Sequence, residues 1–569
     1  MVPASLFATT ASTSGSGVIT HVVYSTSYVA STSTSIPASL AGNTSTSSTS
    51  KSASATNAAD NSLTQSETQL DGQFVNIDYF IAVYLPTLLA VMLKSIWVVV
   101  FASTKMMEPF HQLSKAKGAT SEDSLFADYL ATGFSVNSVK AIFQAHFVMA
   151  LTTSVYVILA FIPSLASESM TVEFLGKCSR PGVVGSFACG PAWMVDISVI
   201  RGIEALLGVL AVMVLVLIIL QWNRKNGVMS DPSSIASMAS YLHHPDVLAD
   251  FRAIDPMAND YELYAQLAGN QYMLATYENN SGQYRYGLVK TVGTVKIGGR
   301  GANSGTRYQP LSNPSNQQTQ KPTRHIPWGA IRDGLLFLCL LSLLGISIGY
   351  YLDGKSDPFN NYFNSGSFGP RFILVIVATI VDYQWKRIER EVRITDPFRR
   401  LAKRMASPQK TILASRWGTP FDAMPIALWN MNFFVAAIAT VAILSDILIL
   451  SILGVPYSNS EIKPASLASF YTSFGILGIM LIAFVAVIIW RRSNPPFPRQ
   501  PDTLASVWTY LCASNMLEDL EGMEFMAEKA RNKSITRAAR RYFYGMANGS
   551  DGKDRYMVDH EGAGGAVYY

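Results

Sequence analysis

Long apolar runs alternate along this chain with polar, basic stretches. Seven runs, Ile77–Phe101, Ala141–Pro163, Ile200–Trp222, Trp328–Leu352, Phe368–Trp385, Trp429–Leu453 and Leu467–Trp490, reach the roughly 20 residues that a helix needs to cross a bilayer. Within hydrocarbon every backbone N–H and C=O must find a partner inside the segment, so each run predicts a transmembrane helix. Pro86 and Lys94 interrupt the first run. Lys94 is expected to snorkel to the headgroups from about two turns inside the inner end. A re-entrant first run would leave six spans with both ends inside. The expected fold class is all-α integral membrane, with about seven transmembrane helices.

Lys and Arg set the orientation, because loops left in the cytoplasm keep them. With the N-terminus outside, segments 102–140, 223–327, 386–428 and 491–569 are inside and hold 4, 10, 10 and 11 basic residues. The outer segments 1–76, 164–199, 353–367 and 454–466 hold 1, 2, 1 and 1. This asymmetry places the C-terminus in the cytoplasm and the chain in the plasma membrane or a secretory-pathway membrane.

The chain also resembles itself. At an offset of 288, Trp97 meets Trp385, and Glu108-Pro109-Phe110 meets Asp396-Pro397-Phe398. Leu113, Lys115 and Leu125 meet Leu401, Lys403 and Leu413 at the same spacing. At an offset of 269, Pro232, Ala236, Ser237, Tyr241, Leu242, Leu248 and Asp250 meet Pro501, Ala505, Ser506, Tyr510, Leu511, Leu517 and Asp519. Each half therefore reads as span, acidic-Pro-Phe loop, span, outer loop, span, and a segment that ends in Tyr-Leu. Two parallel three-helix repeats are expected, with Trp328–Leu352 as the linking helix. Thr395-Asp396-Pro397 and Asp231-Pro232 look like helix starts, with Asp as N-cap and Pro at the first helical position. After Pro501, Leu504, Val507, Trp508 and Leu511 recur at helical spacing, as in a helix lying on the inner membrane surface or docked under the bundle.

Several of these residues carry a resemblance to a known family. Tyr84-Leu85-Pro86-Thr87, Trp97, Glu108-Pro109-Phe110, Leu113-Ser114, Gly118-Ala119, Ser124-Leu125 and Asp128-Tyr129, with Trp385, Asp396-Pro397-Phe398 and Leu401 in the second copy, resemble a fungal family of multi-pass membrane proteins with two copies of the "domain of unknown function 3433". The second copy has no counterpart to the Leu-Pro-Thr or Asp-Tyr pairs. The resemblance implies a fungal membrane protein and brings no activity or functional residue with it.

Composition fits the spans: 49% of residues are hydrophobic and 15% charged, against about a quarter charged in soluble domains. A net charge of +5 is too small to argue for nucleic acid. Residues 1–76 form a Ser/Thr-rich stalk, expected to be disordered and O-glycosylated, with an N-glycosylation sequon at Asn43. The sequons at Asn279, Asn532 and Asn548 fall inside and should stay bare. Cys178 and Cys189 share an outer loop in an oxidising compartment and are candidates for a disulfide. The remaining divisions are 77–254 and 368–522 for the two repeats, 255–327 for an inner loop and linker with a short hairpin at Tyr284–Val295, 328–367 for the linking span and outer loop, and 523–569 for a cytoplasmic tail.

No catalytic, Walker or dinucleotide-binding pattern appears in a fitting context, and no zinc spacing. The expectation is therefore no enzyme, no cofactor and no metal site. Intramembrane ionisable residues are the default functional candidates: His146, Asp196, Arg201, Glu204, Asp382 and Asp446. Arg201 and Glu204 share a helix face and should pair. Asp446 lies among Ile443, Leu444, Ile447 and Leu448 and is expected to form a structural hydrogen bond to a neighbouring helix. The leading expectation is a sensor or scaffold embedded in the lipid bilayer, whose basic inner loops bind anionic lipids or cytoplasmic proteins. The alternative is a solute transporter or channel, which requires a polar path at mid-membrane reached by Asp382 or Asp446. Oligomeric state, ligand and partner are not legible.

Overall fold

The computed structural model describes residues 76–127, 146–175, 190–279, 281–291, 328–353, 369–403, 406–416, 418–455, 463–561 and 567–568. The stalk with Asn43, the Cys178/Cys189 pair and the linker at 298–327 lie outside the described residues.

The first run is two helices, α1 (Asn76–Val83) and α2 (Leu85–Leu113), which meet at Tyr84. Pro86 sits in the first turn of α2, where its missing N–H costs no hydrogen bond. α3 (Phe147–Ala166) and α4 (Ile197–Trp222) complete the first bundle. Behind them come three short helices, α5 (Ile235–Ala239), α6 (Pro245–Ala253) and α7 (Asp260–Leu267). α8 (Trp328–Asp353) precedes the second bundle: α9 (Pro370–Ala402), the short α10 (Pro420–Trp429), α11 (Phe433–Ser451) and α12 (Lys463–Arg492). α13 (Leu504–Thr509), α14 (Met516–Asp519) and α15 (Glu528–Arg537) follow.

Six of these helices are long and apolar enough to cross a membrane: α2, α3, α4, α8, α11 and α12. The fifth expected span, α9, falls outside that set because Asp382, Lys386 and Arg387 interrupt its apolar part. α4 buries only Leu210 and Leu217 fully and exposes leucine, isoleucine and valine around its circumference, a surface suited to lipid and to no aqueous setting.

The fold is mostly helical rather than all-α. β1 (Ala119–Thr120), β4 (Gln271–Glu278) and β5 (Tyr284–Lys290) form one small sheet, β2 (Met170–Leu175) and β3 (Gly190–Val195) a second, and β6 (Tyr542–Asn548), β7 (Asp554–His560) and β8 (Val567–Tyr568) a third. The hairpin expected within Tyr284–Val295 instead pairs β5 backwards with β4, Tyr272 opposite Lys290 and Glu278 opposite Tyr284. The β6–β7 hairpin has the same register 270 residues later: Tyr542 opposite His560, Asn548 opposite Asp554. Gly282 and Gly552 sit in the two turns with φ of +75° and +74°, a left-handed conformation that glycine adopts without strain.

The short helices and the two long hairpins form one base module beneath the bundle. Its core joins Phe110, Leu113 and Leu125 from the first half with Phe398, Leu401 and Ile412 from the second. The two halves exchange backbone hydrogen bonds there. Ala236 N–H donates to Ile412 O at 3.0 Å, and Ala505 N–H donates to Leu125 O at 3.1 Å. The apolar stripe after Pro501 is docked under the bundle, since Leu504, Val507, Trp508 and Leu511 are all buried in this core. Residues 528–560, at the C-terminal end, are folded into the module as α15, β6 and β7.

Candidate functional site

Two sequence boxes prove to be architectural. Glu108-Pro109-Phe110 and Asp396-Pro397-Phe398 are not loops or helix starts, because α2 and α9 run straight through them with Pro109 and Pro397 inside the helix. The apolar stretch and the box thus form one continuous rod, which carries each Phe down into the base module. Phe110 meets Tyr241 with ring centroids 6.5 Å apart, and Phe398 meets Tyr510 at 5.9 Å. Asp231-Pro232 does not start α5 either: the N-cap is Ser234, whose hydroxyl accepts from Ser237 N–H. The acids above each Phe bind locally. Glu108 accepts from Gln112 and from Arg224, both at 2.5 Å. His146, at the N-terminus of α3, lies 4.0 Å from Glu108. Asp396 accepts from Arg400 at 2.7 Å and from Asn432 at 2.5 Å. Burial still pushes the Asp396 carboxyl above its ordinary pKa.

The remaining intramembrane candidates divide. Arg201 and Glu204 pair at 2.8 Å on the exposed face of α4. Asp196 caps the same helix, accepting from Ser198 and Val199 N–H. Asp382 and Asp446, by contrast, meet in one buried cluster with two lysines. Lys94 does not snorkel: it is 1% exposed, and its Nζ donates to Asp382 Oδ2 at 2.6 Å. Asp446 is not isolated: Lys386 Nζ reaches its two oxygens at 2.8 and 2.9 Å, and Lys94 Nζ lies 3.5 Å away. Lys386 also lies 3.0 Å from Asp382 Oδ1, and Ser445 Oγ–H donates to the same oxygen at 2.7 Å.

Two ammonium groups and two carboxylates cancel in this cluster, so burying it leaves no net charge in the apolar core. Its members come from α2, α9 and α11, which makes it a clamp between the first and second bundles. Asp333 of α8 accepts from Arg387, the residue after Lys386 on α9, and, at 2.5 Å, from Arg491 of α12. Arg491 also reaches Glu391 at 2.7 Å.

Sequence reasoning missed Lys94 and Lys386 as partners of the acids. A signal was present: Lys94 and Asp382 are 288 residues apart, the offset of the first set of repeat matches. Equivalent positions of two copies that come into contact must differ in charge to attract, and these do.

A cavity lies between α9, α10 and the N-terminus of α11. Arg393, Asp396, Arg400, Lys410, Ala427 and Asn432 are among its lining residues. His243, from the only histidine pair, binds backbone oxygens of Ser240 and Leu517, and His244 meets the edge of the Tyr277 ring. Among the described residues no His/Cys/Asp/Glu group is arranged to hold a metal.

The chain matches the model of one protein family, described as protein of unknown function (DUF3433), twice, at residues 80–171 and 368–456. It therefore carries two copies of that domain. The first match spans α2 and α3, the second α9 and α11. No curated protein and no solved structure matches the chain.

Proposed function

We propose that this chain is a non-enzymatic membrane platform, a scaffold or sensor of the cell surface or secretory pathway. In this reading it crosses the bilayer seven times as two parallel three-helix repeats, α2–α3–α4 and α9–α11–α12, joined by α8. The Ser/Thr-rich stalk is outside, glycosylated, and the base module is cytoplasmic. Three features support the seventh crossing and the repeat. α9 packs against α3, α8 and α11, the charges in its apolar part are neutralised by Lys94 and Asp446, and the long hairpins share one register.

The observation that carries the reading is the reciprocal exchange in the base module, Ala236 to Ile412 and Ala505 to Leu125. It makes one body from both halves, fixed to the ends of α2 and α9. Such a body presents a constant surface on one side of a membrane and transmits a shift of either bundle to both hairpins. A photo-crosslinking residue in place of Tyr261, which is 80% exposed on α7, should yield protein adducts of defined mass in intact cells. The same probe at Ile219 on α4 should yield lipid adducts only. Absence of protein adducts from Tyr261 and other exposed base positions would remove the platform reading.

The transporter reading draws on Asp382 and Asp446, acids within the membrane-embedded bundle. It predicts a solute or proton flux in proteoliposomes that Asp382→Asn or Asp446→Asn abolishes. The closed pairing of both acids favours a clamp, and the expected permeability is that of empty vesicles.

A further inference from the structure

The cavity between α9, α10 and α11 has a composition that the clamp and the base module do not use. Arg393, Arg400 and Lys410 line it with one carboxylate, Asp396; Arg393 pairs with Glu389 and Arg400 with Asp396, so Lys410 leaves the site with an excess of one positive charge. Arg393 is 94% buried by its 6% exposure, and its Nε–H has no acceptor among the described residues. Its two terminal nitrogens are held by Glu389 at 2.7 Å and Thr419 O at 3.5 Å. Lys410 has no ion-pair partner among the described residues. Asn432, the residue before the first turn of α11, also lines the cavity, so the positive end of a 19-residue helix dipole lies beside the cations. A buried arginine N–H without an acceptor, a lysine left over from the ion pairs and a helix N-terminus together suit an anion, and phosphate is the anion that such donors match.

The wall of the same cavity says which phosphate. α10 turns Ala423 and Ala427 inward and leaves Phe421, Ile426, Leu428 and Trp429 exposed. Trp429 is 89% exposed, and Met431 and Phe433 continue the apolar surface up to the start of the membrane-crossing α11. An apolar short helix ending in Trp beside a span is an interfacial element, with its apolar face in the headgroup–acyl boundary. We propose that this cavity binds the phosphate of an anionic lipid headgroup whose acyl chains lie along α10 and the first turns of α11. The proposal rests on the bilayer-crossing reading of α11 and deepens the expectation that the basic inner loops meet anionic lipid.

Native mass spectrometry of the full-length protein, released from nanodiscs containing phosphatidylcholine with phosphatidic acid or phosphatidylinositol phosphate, tests it. One anionic lipid should remain bound per chain, and phosphatidylcholine should not. Arg400→Gln with Lys410→Gln, the half-buried and the exposed cation of the lining, should weaken retention at least about tenfold. Lys529→Gln, exposed on α15, should leave it unchanged. Equal retention by the double variant, or equal loss in Lys529→Gln, overturns the site. Displacement of the lipid by millimolar inorganic phosphate would assign the cavity to free phosphate and overturn the lipid proposal. A melting profile of the variant equal to that of the parent shows that lost retention is not lost folding. If the variant melts early, Lys410→Gln alone, at an exposed position, gives the deciding comparison. Protease protection of the base module in sealed vesicles separately reports whether α10 is on the cytoplasmic side, so failure of the orientation and failure of the site are distinguishable.

Discussion

Replacing Lys94 by Met removes one ammonium from the buried cluster and nearly keeps the side-chain volume. Asp382, Lys386 and Asp446 remain, with a net charge of −1 in a site where Lys94 and Asp382 are each 1% exposed. Breaking a buried ion pair by removing one partner costs about 3–5 kcal/mol, because the other charge stays uncompensated. Asp382→Asn leaves a net +1 and should cost a similar amount. The combination Lys94→Met/Asp382→Asn leaves only Lys386 and Asp446, paired at 2.8 Å, and is neutral again. It should therefore be more stable than either single variant, although it changes two residues. Lys94→Met/Lys386→Met leaves two buried carboxylates with no cation between them and should be the least stable of the set. A protein of this size does not unfold in two states, so the informative quantity is the order of melting midpoints. Size-exclusion chromatography of the heated, detergent-solubilised protein measures that order, with the level of folded protein in membranes as a second reading. An additive double variant, costing about 6–10 kcal/mol as the sum of two such penalties, would refute the neutral-clamp account.

Tyr510 and Tyr241 occupy matched positions but should respond differently to loss of the hydroxyl. Tyr510 Oη donates to Arg499 O and accepts from Arg499 N–H at 3.1 Å, so Tyr510→Phe strands a buried peptide group at a cost of about 1–3 kcal/mol. The Tyr241 hydroxyl has no hydrogen-bond partner among the described residues, and Tyr241→Phe should be neutral or slightly stabilising; equal melting midpoints for the two variants would contradict the assignment. Gly118 has φ of +68°, and a Cβ there would stand 2.5 Å from Tyr272 O, so Gly118→Ala should lower the midpoint by the equivalent of about 1–3 kcal/mol. Of the four sequons, Asn43 should carry the glycan, and Asn532→Gln and Asn548→Gln should leave the endoglycosidase shift unchanged; a lost shift in either would place the base module in the lumen.

The membrane class, the six helices that meet the length and apolarity needed, and the two family copies were legible in the sequence, because hydrocarbon demands long unbroken apolar runs and duplication leaves fixed offsets. The boxes at Phe110, Phe398, Tyr241 and Tyr510 were visible as recurrences, but their pairing was not. Offsets report which positions are equivalent and do not report which positions touch. Two local rules misled. Asp-Pro signals a helix start only where nothing else continues the helix, and α9 continues through Pro397 to bury Phe398 and Leu401 in the base core. A lysine near a span end snorkels only where no partner is in reach, and Asp382 supplies one at 2.6 Å.

Periodicity is a property of neighbours along the chain, whereas the clamp joins helices through residues 60 and 288 positions apart and the base module through residues as far apart as Leu125 and Ala505. Sequence by itself determined which segments are apolar enough for lipid and which were duplicated. Only the tertiary structure decided that the charged fifth helix is packed among its neighbours, since a buried charge is tolerable only when its counter-charge arrives from another helix.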